Sequence, residues 1–264
     1  YGILFVTGPT GSGKSTTLYA ALSEINSVDR KILTIEDPIE YRIPGVTQIQ
    51  VNPGIDLTFA RVLRSTLRLD PDVIMVGETR DPETAKITIA TAMTGHLVFS
   101  TLHTNDATGA FTRLNDMGVE PFLIASSVEG VIAQRLVRVL CKACRQPHKP
   151  DPDLIKQVNM TREDPANCTF NRPAGCEACR YTGYAGRTAI IEMVKMNEAV
   201  RRKIVQNSSS SDVKATAMKS GMRPIRFDGW DKIRTGQTTA EEVLRVTMED
   251  EFNNEFAAND MAES

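Results

Sequence analysis

Short, continuous apolar runs recur along the first half of the chain: Ile3-Leu4-Phe5-Val6, Ile32-Leu33-Thr34-Ile35, Val73-Ile74-Met75-Val76 and Leu97-Val98-Phe99-Ser100. They do not alternate with polar residues, which is the pattern of strands buried on both faces of a parallel sheet. Helical spacing fills the gaps. Leu18, Leu22 and Ile25 share one face, and Phe59, Val62, Leu63 and Leu67 share the apolar face of a helix over 58–68. Helices are also expected over 84–93, over 106–117 with Gly118 as C-cap, and over 122–133, followed by a strand at 136–140. Residues 41–57 read as strand and loop, with turns at Pro44-Gly45 and Pro53-Gly54. Further on come a turn and strand over 183–192 and helices over 198–206, 212–219 and 224–234. Thr239 and Glu242 read as a capping box opening a last helix that ends near Thr247, and Glu249 to Ser264 reads as a disordered acidic tail. Strand and helix alternate, so the expected class is α/β with a parallel sheet.

The chain has 264 residues, enough for one large domain with an appendage. Its 31 basic and 33 acidic side chains nearly cancel, which removes the global basic signature of a nucleic-acid binder. No apolar run approaches the roughly 20 residues of a membrane span. The chain opens at Tyr1 almost inside its first strand, as expected of the C-terminal part of a longer protein.

Between the first strand and first helix stands Gly8-Pro9-Thr10-Gly11-Ser12-Gly13-Lys14-Ser15, followed by Thr16. This is the phosphate-binding P-loop pattern in its required strand–loop–helix context. The glycines let backbone amides wrap a phosphate at a helix N-terminus, Lys14 is expected to reach the outer phosphates, and Ser15 to ligate Mg²⁺.

Ligands of a parallel sheet sit beyond the carboxyl ends of its strands. That edge receives Glu36 and Asp37, Glu78 and His103. Glu78 fits the acid that polarises water or orders Mg²⁺, whereas Asp72 begins its strand and falls at the far edge. Glu36-Asp37 reads equally as a functional pair or a solvated turn, and His103 equally as a functional or a satisfied polar residue; His96 reads as structural. Arg61, Arg64 and Arg68 form a basic row on one helix, either a solvated face or a source of charge stabilisation.

Two C-x-x-C pairs, Cys141/Cys144 and Cys176/Cys179, are separated by residues 145 to 175. In a chain with no secretory signal this is the four-thiolate pattern of a structural Zn²⁺ site, with an irregular proline-bearing insertion looped out between the pairs and Cys168 a spectator. The expected organisation is a P-loop α/β core over 1–140, a zinc module over 141–180, a helical subdomain over 181–248 and the tail over 249–264.

Together these segments resemble the assembly ATPases of bacterial type II secretion and type IV pili. Gly8–Ser15 resembles that family's P-loop, Thr34–Tyr41 its aspartate box, Leu69–Asp81 its divergent Walker B with Gly77 before Glu78, and Thr94–Asp106 its histidine box. The cysteine pairs resemble the zinc module of secretion and pilus-extension members. The resemblance implies a RecA-like core acting as a homo-hexamer, peripheral to the cytoplasmic face of the inner membrane. It also implies a preceding domain that supplies further arginines. Such a motor drives pseudopilus assembly in type II secretion, or pilus extension, with inner-membrane platform proteins and cytoplasmic-domain proteins of the machine as partners and no nucleic acid. It assigns catalytic roles to Glu78 and Glu36, charge stabilisation to Arg64, Arg68, Arg80 and Arg113, and an adenine contact to Arg187. A RecA-like nucleic-acid motor is the more distant alternative.

Overall fold

The computed structural model describes residues 1–159 and 164–247. The expected acidic tail lies outside them. The described residues pack as two compact units, 1–135 with 191–224, and 136–190 with 225–247.

In the first unit, β1 (Gly2–Thr7) is followed by α1 (Lys14–Ile25), β2 (Ile32–Glu36), β3 (Thr47–Gln50), α2 (Phe59–Thr66), β4 (Val73–Val76), α3 (Pro82–Met93) and β5 (Leu97–Leu102). Then come α4 (Gly109–Asp116), α5 (Pro121–Ser127) and β6 (Val128–Leu140). The sheet order is β3-β2-β4-β5-β1-β6, and β1 pairs in parallel with both β5 and β6. Register aligns the carboxyl ends: Thr7 lies opposite Leu102, Ile35 opposite Val76, and Val76 opposite Ser100.

Strand residues alternate between faces. Val6, Met75 and Phe99 pack on one side with Leu18, Tyr19 and Leu22 of α1. Ile3, Phe5, Val98 and Leu102 pack on the other with Phe111 and Leu114 of α4. Side chains cap the helices: Thr58 accepts from the Arg61 amide and Asp81 from the Thr84 amide.

The segment 122–133 departs from the sequence expectation. Only Pro121–Ser127 is helical, and Val128 begins a strand that runs to Leu140. Val128, Val131 and Ile132 are β-branched, and the open edge of β1 pairs with them, so tertiary pairing overrides the helical spacing. Gly130 is buried beside the Leu4 side chain, and a Cβ there would lie 3.0 Å from Leu4 Cδ1.

In the second unit, β7 (Gln146–Pro147) and β8 (Asn171–Arg172) form a short antiparallel pair around α6 (Pro152–Val158). β9 (Tyr184–Lys195) returns beside β6: the Cys141 amide donates to Gly183. α7 (Glu198–Val205) and α8 (Ser210–Lys219) belong to the first unit, α9 (Ile225–Arg234) and α10 (Ala240–Val246) to the second. The insertion between the cysteine pairs is not simply looped out. Ile155 and Val158 of α6 are buried against Trp230, Ile233 and Val243 of α9 and α10.

Half of the expected capping box forms. Thr239 accepts the Glu242 amide, but the Glu242 carboxylate accepts from Arg138 (2.5 Å) and Arg245 (2.9 and 3.0 Å). Burial raises the Glu242 pKa, the two guanidinium partners outweigh it, and the result is about 2. The folded value lies below the ordinary 4.5, so the contribution to stability is present above about pH 4.5 and fades as pH falls towards about 2. Glu242→Gln is expected to lower stability at pH 7 by on the order of 2 kcal/mol, allowing for the half-exposed arginines. Melting curves from pH 7 to pH 2 should show that deficit shrinking with acid.

Candidate functional site

The loop between β1 and α1 lies against the middle of β6, at Gln134 and Arg135. At Gly8, φ is +147°, and an added Cβ would sit 2.4 Å from the Gln134 carbonyl oxygen and 2.7 Å from Ser12 Oγ. Only glycine fits there. Gly13 precedes α1 in the left-handed region at φ 88°, and no side chain caps the helix or adds an acid to its first turn. The α1 N-terminus is therefore left for an anion. Lys14 curls back, Nζ donating to Gly8 O at 2.9 Å and Pro9 O at 3.0 Å. Burial lowers its pKa, with Glu78 acting in the opposite direction. Ser12 Oγ is buried with no hydrogen-bond partner among the described residues, while Ser15 and Thr16 are exposed at the helix start. A buried orphan hydroxyl, an uncapped helix N-terminus and a folded-back lysine fit a polyphosphate, with Ser15 placed for its metal ion.

Two acids and a histidine meet the loop across the strand ends. Thr101 Oγ1 donates to Gly77 O at 2.7 Å and the Thr79 amide to Thr101 O at 2.9 Å, fixing the turn after β4 on the end of β5. Glu78 is thereby aimed inward with its side chain 14% exposed. Its Oε2 is 2.6 Å from Arg80 Nη2 and 3.9 Å from His103 Nε2. Burial raises the Glu78 pKa; Arg80 opposes this and Asp37 adds to it. Burial lowers the His103 pKa, helped by Lys14 and Arg80, so the imidazole is neutral near pH 7. The loop carrying His103 is tied to β1, the Thr104 amide donating to Thr7 Oγ1 at 2.9 Å.

Glu36 sits differently. It is 3% exposed, and its carboxylate accepts from Tyr19, Thr34 and Gln48. Burial and that bond raise the Tyr19 pKa to about 12. Asp37, the next residue, is exposed. Among the described arginines only Arg80 is paired with Glu78. Arg61 pairs with Asp56 and Arg64 with Glu83, both at the surface, and Arg68, Arg113 and Arg187 are exposed. Asp72 receives the Lys31 amide at the start of β4, and His96 Nδ1 lies 3.0 Å from Thr94 Oγ1 and Thr91 O, as a structural histidine does.

Sequence reasoning missed Gln134 and Arg135. Both are buried, and Arg135 donates to Asn105 O at 2.6 Å, two residues beyond His103. Buried Glu192 accepts the Ala107 amide at 2.8 Å, and Lys214 lies 3.6 Å from Asp106. The signal was there: a polar pair in an apolar run, just past the last residue paired with β1 at the ligand-bearing edge. The helical reading of 122–133 hid it.

In the second unit the sulfurs of Cys141, Cys144, Cys176 and Cys179 all lie within 4.8 Å of one another. Cys141–Cys176, Cys144–Cys179 and Cys176–Cys179 approach to 3.8 to 3.9 Å. Four thiolates around Zn²⁺ at about 2.3 Å are separated by about 3.8 Å, so the set fits a tetrahedral ion. Burial raises the Cys179 thiol, but the Cys176 and Gly183 amides, each 3.2 Å away, outweigh it and lower its pKa to about 6. Left-handed Arg180 and Tyr181, φ 51° and 59°, make the turn that brings Gly183 there. Cys168 stands outside the four, packed at the Trp230 cluster.

The family model described as "Type II/IV secretion system protein" matches residues 1–245. Type II secretion system protein E of Aeromonas hydrophila is 58% identical over 95% of this chain and 49% of its own length; that of Dickeya dadantii is 54% identical over the same shares. The type IV pilus assembly ATPase PilB of Thermus thermophilus is 50% identical over 94% of this chain and 28% of its own. The chain thus spans about half the length of the type II relatives. Among solved structures, the pilus retraction motor PilT with bound ADP superposes with a TM-score of 0.68 at 29% identity, covering 96% of this chain and 62% of that one. With a family match over nearly its whole length and relatives above half identity, this chain belongs to the type II/IV secretion system protein family.

Proposed function

We propose that the chain is the ATP-hydrolysing part of a type II secretion motor. As a cytoplasmic homo-hexamer peripheral to the inner membrane, the motor powers pseudopilus assembly through platform proteins of the machine. The observation that carries the catalytic part is Glu78, inward-facing with a raised pKa, next to the loop that holds Lys14. Residues 1–140 act as the ATPase core, 141–180 as the zinc module and 181–248 as the helical subdomain. The P-loop residues Gly8, Thr10, Gly11, Ser12 and Gly13 cradle the phosphates through backbone amides, Pro9, which has no N–H, shapes the turn, and Thr16 stands beside them. Lys14 leaves its carbonyl partners for the outer phosphates, and Ser15 would hold Mg²⁺, which would supply charge neutralisation at the phosphates. Glu78 takes a proton from the attacking water, and neutral His103 is in place to hydrogen-bond that water or the phosphoryl oxygen. Arg80 keeps Glu78 oriented until substrate enters. Glu36, held by three donors, shapes the site from the β2 side. Arg64, Arg68 and Arg113 serve phosphates at subunit contacts, and Arg187 serves the adenine. Zn²⁺ is structural, since four sulfurs leave no position for water. A second reading, extension of a type IV pilus, is favoured by the likeness to PilB.

Lys14→Ala is expected to lower ATP turnover at least 100-fold with an unchanged circular dichroism spectrum, because the one lysine at the transferring phosphate is gone. Wild-type turnover in the folded variant contradicts the assignment. Glu78→Gln is expected to keep ATP binding and lose turnover by 100-fold or more. In the wild type, the acidic limb of kcat/KM, which reports the nucleotide-free enzyme, should fall at a pH above the ordinary glutamate value of 4.5, as the raised pKa predicts. An acidic limb at or below 4.5 removes Glu78 from the role of base.

Metal analysis by mass spectrometry should find one zinc per chain in the wild type and in Cys168→Ser, and none in Cys176→Ser. Cys176→Ser should also melt earlier, because metal binding contributes folding energy to residues 141–179. Zinc retained in Cys176→Ser, or lost in Cys168→Ser, overturns this ligand set.

A further inference from the structure

Gln134 stands one residue past Ala133, the partner of Thr7 at the point where β1 gives way to the glycine loop. It is 2% exposed, a carboxamide with two donors and an acceptor buried in an apolar strand. Nε2 donates to Ser12 O at 2.7 Å, and Oε1 accepts from Thr17 Oγ1 at 2.8 Å. Its backbone carbonyl lies where a Cβ on Gly8 would go. One residue therefore touches the entry of the loop through Gly8, its far side through Ser12, and the first turn of α1 through Thr17.

We infer that Gln134 is a positioning residue for nucleotide, setting the peptide plane between Ser12 and Gly13. The peptide is planar and trans, so its C=O and N–H point in opposite directions. With the Ser12 carbonyl drawn down to Gln134, the Gly13 amide is turned away from β6 and into the hollow of the loop. The acceptor arm fixes α1 in the same register, because Thr17 is bonded to the other end of the same rigid amide. Glutamate keeps the acceptor for Thr17 but presents an oxygen to the Ser12 carbonyl and adds negative charge beneath the phosphates. Asparagine is one methylene short of both partners. The inference rests on reading the loop as the ATP site and adds to it the group that holds the loop in its binding shape.

The test measures displacement of a fluorescent ATP analogue, with kcat and KM, in the complete protein carrying Gln134→Met, Gln134→Glu, Thr17→Val and the Gln134→Met/Thr17→Val pair. Methionine keeps the volume and removes both arms. Gln134→Met is expected to weaken ATP about tenfold, the value of two ordinary hydrogen bonds, with KM raised more than kcat is lowered. Gln134→Glu should bind more weakly than Gln134→Met. The double variant should bind no more weakly than Gln134→Met alone, because the Thr17 contact is already lost. A residue that merely filled space would produce neither the ordering nor the non-additivity. Wild-type ATP affinity in Gln134→Met, or additive losses in the pair, overturns the inference. If Gln134→Met does not fold, Thr17→Val alone must still weaken ATP severalfold, and wild-type affinity there overturns it. Absence of ATP binding in the wild type instead rejects the nucleotide reading itself.

Discussion

Parallel pairing of β1 with β5 on one side and β6 on the other is the constraint on which the site depends. In a parallel sheet every strand ends at the same edge. The register places Thr7 opposite both Leu102 and Ala133, so the glycine loop, the His103 loop and Gln134 are delivered to one edge. β4 joins through Val76 and Ser100 and brings Glu78. These residues are far apart in sequence and are gathered by main-chain hydrogen bonds rather than by contacts of their own. The hydroxyls of Thr7, Thr79 and Thr101 then tie the loop ends together across neighbouring strands.

Around that edge the charged groups are of two kinds. Arg135, Glu192 and Lys214 are buried, each with polar or charged partners, and they hold the loop after β5 in place. Removing one partner from such a set strands the other, so they tolerate little change. Arg61, Arg64, Arg68 and Arg113 are exposed on helices, and pairs like Arg64–Glu83 contribute at most about 1 kcal/mol. Arg80 differs from them in its partner, the inward-facing Glu78, which is only 14% exposed.

Much of this was legible in the sequence because the physics is local. Runs such as Val73–Val76 can only be strands buried on both faces, and the P-loop spacing carries its own strand–loop–helix context. The cysteine pairs were legible because four thiolates at one metal demand that spacing, and their sulfurs do converge. What stayed hidden depends on distant partners. The spacing of Phe122 to Ala133 is helical, and only the free edge of β1 converts Val128 onward into strand; Gly130 inside a supposed helix was the one local warning. Gln134 and Arg135 were lost with that strand. The engagement of Glu36 by Tyr19, Thr34 and Gln48 likewise needs three elements brought together. The burial of α6 against Trp230 follows from contacts between segments far apart in the chain.

The central claim is that the loop after β1 holds nucleotide phosphates through its backbone amides. Amide hydrogen exchange, with and without saturating Mg²⁺ and a non-hydrolysable ATP analogue, tests it most directly. The account predicts slowed exchange concentrated at the amides of Gly11 to Thr16. Unchanged exchange across that loop under conditions where the analogue is bound would contradict it.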